Sequence, residues 1–181
     1  MRQMDITIAG VGGQGSILTG IILGSAAVIY DKKYAVQTQA YASQLRGGFA
    51  ATWVIVSDEP IEYPRVIRPD VLVAQAQDSI NRYADDLKPG GLLIIDSDMI
   101  STPPPGIEKI ISVPATSLSR QKIRAPVTAN MIILGSLWKA TNVVSRDSLE
   151  KAIAGSVPPG KENLNLEAFN LGIESVNSSL S

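Results

Sequence analysis

An α/β domain with a doubly wound, mostly parallel sheet is the architecture this sequence predicts, and three observations carry it. Short apolar or β-branched runs alternate with segments of helical composition along most of the chain. The first run leads into IAGVGGQGSILTG, a glycine-rich turn followed directly by an apolar helix. Leu92–Ile95 is apolar throughout and ends in Asp96, the pattern of a strand buried on both faces. At 181 residues the chain forms one domain, residues 1–181, large enough to bury a core without disulfides or metals.

Taken in order, Ile6–Ala9 is the first strand, and the helix after it carries Ile17, Leu18, Ile21, Ile22 and Ala26 at helical spacing. Gly20 and Gly24 let that helix pack closely. Asp31-Lys32-Lys33 is a turn into the second strand, Tyr34–Thr38, and Ala50–Val56 is a strongly β-prone third strand closed by Ser57-Asp58-Glu59-Pro60. Val71–Ala74 is the fourth strand. Gln77–Leu87 is helical and stops at Lys88-Pro89-Gly90-Gly91. Leu92–Ile95 is the fifth strand and Ile110–Val113 the sixth, with the proline-rich Ser101–Gly106 as a rigid loop between them. Val127–Thr141 is a long helix with Met131, Leu134, Leu137 and Trp138 on one apolar face. Ser145 caps a helix over Asp147–Ala154, and a last helix begins near Glu162.

Composition excludes whole classes of chemistry. There is no cysteine and no histidine, so this chain offers no thiolate set for an iron–sulfur cluster, no ordinary zinc site and no His-based triad. Sixteen basic residues balance 17 acidic ones without a basic block, which speaks against nucleic acid as a ligand. No apolar run approaches the roughly 20 residues of a membrane span. Met1–Asp5 leads straight into the first strand, so the expected address is the cytoplasm, without a signal peptide. Charged residues make up 18% of the chain, against about 25% in typical soluble domains. Such a low share fits a surface partly covered in an assembly, with the apolar stretches Ile17–Ile22 and Met131–Trp138 as the expected partner face, and it fits an ordinary α/β core equally well.

Gly10, Gly12, Gly13, Gln14 and Gly15 form the first candidate site. Glycines permit a tight turn and close backbone approach, and the helix that follows presents unpaired N–H groups to an anion. A dinucleotide site also needs an acidic residue about twenty positions on, at the tip of the second strand. That tip reads Gln37-Thr38-Gln39, and Asp31 falls on the preceding turn. Arg46, Gly47 and Gly48 form the second candidate: an arginine in a glycine-rich turn near the same sheet edge can fork two hydrogen bonds to a phosphate or carboxylate or pin a partner chain, and a loop salt bridge accounts for it equally. No catalytic residue and no metal ligand set is singled out. Asp96 and Asp98, at a strand's C-terminal end, read first as a helix cap and a solvated carboxylate. Gly155–Lys161 has the GxxxxGK spacing of a phosphate loop, yet follows a helix, contains two prolines and continues with Glu162, so a structural turn accounts for it.

GxGGQG near the start, a tyrosine-led segment ending in Arg46-Gly47-Gly48, Asp70-Val-Leu-Val-Ala74, Lys88-Pro-Gly-Gly91, Asn130 with Gly135, and Asn165-Leu-Glu-Ala-Phe169 together resemble the gamma subunit of 2-oxoacid:ferredoxin oxidoreductases. The resemblance spans nearly the whole chain. One departure bears on the branch of the family: where relatives often carry Gly, Pro and Glu before RGG, this chain has Ala42, Ser43 and Gln44. The resemblance implies a Rossmann-like fold acting as the gamma-subunit catalytic domain of a heteromeric complex that converts a 2-oxoacid and coenzyme A to acyl-CoA and carbon dioxide, with electrons passed to ferredoxin. It implies alpha and beta subunits as partners, with a delta subunit as a further candidate. Thiamine diphosphate and iron–sulfur clusters would sit on those partners. The glycine loop and Arg46 would serve packing and subunit contacts, with part of the coenzyme A site as a further candidate role; a turn used only for tight subunit packing predicts the same sequence. The isolated chain would be inactive. Two other readings stand beside it: a stand-alone NAD- or FAD-binding oxidoreductase, and a structural adaptor.

Overall fold

The computed structural model describes residues 3–42 and 48–179. Strand β1 (Gln3–Val11) leads through the glycine turn into helix α1 (Ser16–Ser25), which continues as a single π-helical turn, Ala26–Tyr30. Then come β2 (Tyr34–Tyr41), β3 (Phe49–Ser57), β4 (Val71–Ala74), α2 (Gln77–Tyr83), β5 (Leu92–Asp96) and β6 (Lys109–Val113). Four helices complete the described chain: α3 (Ala115–Gln121), α4 (Ala129–Thr141), α5 (Arg146–Ser156) and α6 (Glu162–Ser179).

The six strands form one sheet in the order β2-β3-β1-β4-β5-β6. β1, β4, β5 and β6 are parallel neighbours, while β3 runs antiparallel to both β1 and β2. Five strands therefore share one direction and β3 alone is reversed. Helices lie on both faces, as the doubly wound reading requires. On one face Ile6, Ile8, Val54, Val56, Val71, Val73 and Ile94 pack with residues of α1, α4, α5 and α6. On the other, Leu72, Ala74, Leu93 and Ile95 pack with Ile80 of α2 and with Ile100. Alternate residues of β4 and β5 thus enter different cores, which is why both strands are apolar without interruption.

Several expectations change against the structure. Helix α3, in a stretch to which the sequence assigned no element, is held by the two aspartates after β5: Thr116 Oγ1 donates to Asp96 Oδ2 at 2.7 Å and the Ser117 N–H to Asp98 Oδ2 at 2.6 Å. Burial holds the Asp96 carboxyl above its ordinary value against the opposing hydrogen bond from Thr116. The helical stretch from Gln77 breaks at Tyr83 and finishes as a 3₁₀ turn, Ala84–Asp86. The expected partner face at Met131–Trp138 is overturned. Met131 to Leu137 are all buried in the core, where α4 crosses α6. Gly135 and Gly172 make that crossing, since a Cβ on either would land on the opposite helix's backbone, at the Phe169 and Ile132 carbonyls.

The chain after α1 is fixed by Asp31. Its carboxylate accepts from the Ser145 N–H at 2.6 Å, from Ser145 Oγ at 2.7 Å and from Ser148 Oγ at 2.5 Å, tying the π turn to the first turn of α5. Ser145 caps α5 as its sequence predicts, accepting from the Ser148 N–H. The GxxxxGK spacing is a helix end and a turn: Gly155 lies inside α5, and the Lys161 N–H returns to Pro158 O. No helix among the described residues is long and apolar enough to cross a membrane.

Candidate functional site

The C-terminal edge of a parallel sheet is where strands stop and helix N-termini begin, so backbone donors gather there. Here β1 ends in Gly10 and Val11, the chain turns through Gly12 and Gly13, and Gly15 stands as the N-cap of α1 with φ +74°. Gly13 has φ +99°, and both backbones take the left-handed region that a side chain disfavours. Gly10 is needed for another reason: a Cβ there would lie 2.5 Å from Gln14 Oε1 and 2.7 Å from Ser16 Oγ.

What fixes the loop is a pair of glutamines. The Gln14 side chain folds back, accepting from the Val11 N–H at 2.8 Å and donating to Gln75 O at 2.8 Å. Gln75, two per cent exposed at the end of β4, donates to Gln14 O at 3.1 Å and accepts from Ser16 Oγ at 2.7 Å. These bonds clamp the turn from beneath. Sequence reasoning missed Gln75, whose only signal is its place as the first polar residue after a fully apolar strand.

Above the clamp the loop keeps donors that find no partner among the described residues. Among the described residues no side chain caps α1, and the first backbone return is the Thr19 N–H to Gly15 O at 3.0 Å. The N–H groups of Ser16, Ile17 and Leu18 therefore point out of the helix end without an intrahelical acceptor. Asn130, three per cent exposed near the start of α4, packs against Gly15, its Nδ2 being 2.5 Å from where a Gly15 Cβ would stand. Its Oδ1 is buried and has no hydrogen-bond partner among the described residues.

The second motif meets the first. The Gly12 N–H donates to Gly48 O at 2.7 Å, so the last glycine of RGG is joined to the glycine turn. Arg46 and Gly47 lie outside the described residues. Ala42 and Gly48, on either side of that segment, line one cleft of about 490 Å³ together with Gly13, Ile17, Tyr41 and Phe49. The cleft holds no titratable carboxylate or amine among its described walls, and the Ser16 hydroxyl is engaged with Gln75. It offers donors, shape and apolar surface, and no acid–base pair.

The strand order disposes of a dinucleotide clamp. In a Rossmann site the second strand lies beside the first, and its tip presents the acid that holds the ribose. Here β3 stands between β1 and β2, which moves that tip two strand spacings, about 10 Å, from the loop. Asp31 is engaged with Ser145 and Ser148.

The chain matches the pyruvate ferredoxin/flavodoxin oxidoreductase family over residues 5–175. It is 47% identical to the 2-oxoglutarate synthase subunit KorC of Methanocaldococcus jannaschii, over 96% of this chain and 94% of that one. The keto/oxoacid ferredoxin oxidoreductase gamma subunit of Geobacter sulfurreducens PCA superimposes with a TM-score of 0.90 at 36% identity, over 99% of both chains. The 2-oxoglutarate:ferredoxin oxidoreductase of Magnetococcus marinus contains the same fold within a longer chain, with a TM-score of 0.82 at 24% identity, over 98% of this chain and 32% of that one. A glycine turn joined to RGG, the missing ribose clamp and these likenesses over nearly full length agree: the chain belongs to the pyruvate ferredoxin/flavodoxin oxidoreductase family and is the gamma subunit of a multisubunit 2-oxoacid:ferredoxin oxidoreductase.

Proposed function

We propose that this gamma subunit serves a complex that oxidises 2-oxoglutarate, and that its glycine loop binds the phosphate end of coenzyme A. The observation that carries the ligand reading is the union of the two motifs: Gly12 bonded to Gly48, beside a helix end with free N–H groups. A phosphate accepts from such donors, and Arg46 supplies a fork of positive charge from the segment between Ala42 and Gly48. The buried Asn130 Oδ1, without a partner next to Gly15, supports a ligand or a water completing the site. The 2-oxoacid assignment is supported by likeness to the M. jannaschii subunit, which is named for 2-oxoglutarate. In the reaction, 2-oxoglutarate and coenzyme A give succinyl-CoA, carbon dioxide and a proton, and two ferredoxins each take one electron.

Thiamine diphosphate and iron–sulfur clusters belong on the alpha and beta subunits, or a delta subunit, in this reading. A chain with no cysteine cannot supply thiolates to a cluster, and the described walls of its cleft hold no carboxylate or amine. This subunit's part is to bind and orient coenzyme A at its phosphate end while the partners hold the reacting carbon. The chain alone is then colourless and inactive, and the whole of residues 1–181 acts as one domain of the catalyst.

The test is a complex purified through a tag on this chain. It should reduce ferredoxin with 2-oxoglutarate and coenzyme A faster than with pyruvate or 2-oxoisovalerate. Arg46→Ala should raise the KM for coenzyme A about tenfold or more, with the 2-oxoglutarate KM unchanged, and Arg46→Lys should restore part of the loss. A preference for pyruvate overturns the substrate assignment. An unchanged coenzyme A KM in an intact Arg46→Ala complex overturns the ligand assignment.

A further inference from the structure

An open sheet has two edges, and proteins ordinarily guard them with charge, proline, brevity or a covering element. β6 is guarded: it is five residues long, begins at Lys109, and has α6 beside it. β2 has no such guard among the described residues. Its eight residues, YAVQTQAY, hold no charge and no proline, and it is the last strand of the sheet. The Ala42 N–H donates to Phe49 O, and Thr52 Oγ1 donates to Thr38 O. Antiparallel alternation therefore turns the even-numbered residues toward β3 and leaves the N–H and C=O groups of Ala35, Gln37, Gln39 and Tyr41 pointing off the sheet.

Beside this edge lies an apolar stripe on α1. A Gly24 Cβ would stand 4.0 Å from Gln37 Cβ, so that side of the helix faces β2. The positions sharing it at helical spacing are Ile17, Ile21 and Val28, and Ile21 and Val28 are 42% and 46% exposed.

We propose that β2 and this stripe form a self-association surface whose occupant is a second copy of the chain, joined by antiparallel β2–β2 pairing about a two-fold axis. Self-pairing is what the strand's composition fits. With Thr38 on the axis, Gln37 faces Gln39, Val36 faces Ala40 and Ala35 faces Tyr41 of the other copy. Each glutamine amide is donor and acceptor at once, and the strand has no charge that would meet its own image. All four outward N–H groups of each copy then find carbonyls. The sheet continues across the axis, and because α1 lies on the same face in both copies, the two stripes come to face each other, with Gly24 allowing close approach. This inference stands independently of which ligand the glycine loop takes.

The test is the molar mass of the full chain by light scattering across about a hundredfold range of concentration. The wild type should weigh twice the 19.2 kDa of one chain. Thr38→Lys/Gln39→Lys places positive charges on both faces at the axis and should raise the dimer dissociation constant at least about tenfold, as should Thr38→Glu/Gln39→Glu. An equimolar mixture of the two variants should recover the dimer. Ile21→Glu, on the exposed helix face, should weaken it without any change in β2. A wild type monomeric throughout, its edge covered by a different subunit in the assembled complex, overturns the proposal, and so does a lysine variant that stays as dimeric as the wild type.

Discussion

Gly135→Ala and Gly172→Ala add one methyl each where α4 and α6 touch backbone to backbone. A Cβ on Gly172 would lie 2.7 Å from the Ile132 carbonyl carbon and 3.0 Å from its Cα; one on Gly135 would lie 3.0 Å from the Phe169 carbonyl carbon and 3.1 Å from the Ile173 N. Ordinary carbon contacts need about 3.7 Å, so the helices must separate by roughly 1 Å. No rotamer change relieves this, because the obstacle is main chain. Separation weakens the Ser136 Oγ to Gly172 O bond, now 3.0 Å, and opens a gap beside Ile132 and Phe169. Overpacking at the upper end of its usual range costs about 3 kcal/mol, and the lost contacts about 1 more. Alanine's helix propensity returns about 1 kcal/mol. Each variant should therefore lose about 3 kcal/mol, a melting-temperature drop of roughly 6–12 °C for a domain of this size. The pair should cost clearly less than the sum, since one separation accommodates both methyls. Gly155→Ala is the control: inside α5, its Cβ would meet only Tyr30 Oη at 3.9 Å, and it should raise stability by about 0.5–1 kcal/mol. Thermal and urea unfolding of the three variants decide the matter. A Gly135→Ala or Gly172→Ala protein as stable as Gly155→Ala would refute the close crossing.

Asp31→Asn should flatten part of the acid branch of the stability curve. Burial raises the Asp31 carboxyl, but hydrogen bonds from Ser148 and Ser145 and the charge of Lys33 outweigh it and hold the group below its ordinary 3.8. A lowered folded value means stability that is present above about pH 4 and lost as pH falls through the folded value; urea titrations between pH 2 and 6 read the difference. Asp96, raised by burial, has the opposite sign: its proton is held more tightly in the folded state, so its contribution is present below pH 3.8 and declines as pH rises through the folded value, and Asp96→Asn should remove that decline. Ser145→Ala should cost about 1–2 kcal/mol, since it removes both the cap of α5 and a donor to Asp31. Gln75→Leu leaves the Gln14 O and Ser16 Oγ partners unpaired and should cost about 2–3 kcal/mol, with faster hydrogen exchange over residues 10–18 than over α6.

Much of the fold was legible because its strands are buried. Val71–Ala74 is found at the predicted boundaries, and the other five predicted strands lie within the observed ones, extended by one to three residues at one or both ends. Ser145 announced a helix because a cap is a local interaction. Helix α3 gave no such sign: ATSLSRQ is short and half polar, and its first turn is held by Asp96 and Asp98, which precede it by some twenty residues. Met131–Leu137 was misread because an apolar stripe looks the same whether it meets a partner chain or, as here, another helix through a glycine pair. The reversal of β3 carried a readable signal. Only residues 42–48 join β2 to β3, whereas a parallel crossover takes about a dozen residues or more. Of the candidate site, the two glycine motifs were legible as motifs, while the bond between Gly12 and Gly48 and the clamp by Gln75 arise from residues far apart in sequence.

That reversed strand accounts for both surfaces on which the proposals rest. Inserted between β1 and β2, it carries Gly48 and Phe49 back to the mouth of the glycine turn, so the cleft is walled by Tyr41, Ala42, Gly48 and Phe49 where a dinucleotide enzyme would place a ribose clamp. A ligand that needs phosphate donors and an extended wall suits this opening better than one that needs its ribose gripped. The same insertion pushes β2 outward by one strand, to the end of the sheet, with an uncharged hydrogen-bonding edge. Had β3 lain outside β2, Gln37 and Gln39 would face a neighbour within the chain, and the glycine turn would have kept the neighbour that a nucleotide requires. Loop and edge are therefore consequences of one topological choice, and the glycine motif alone could not distinguish the outcomes because its geometry is the same in either sheet.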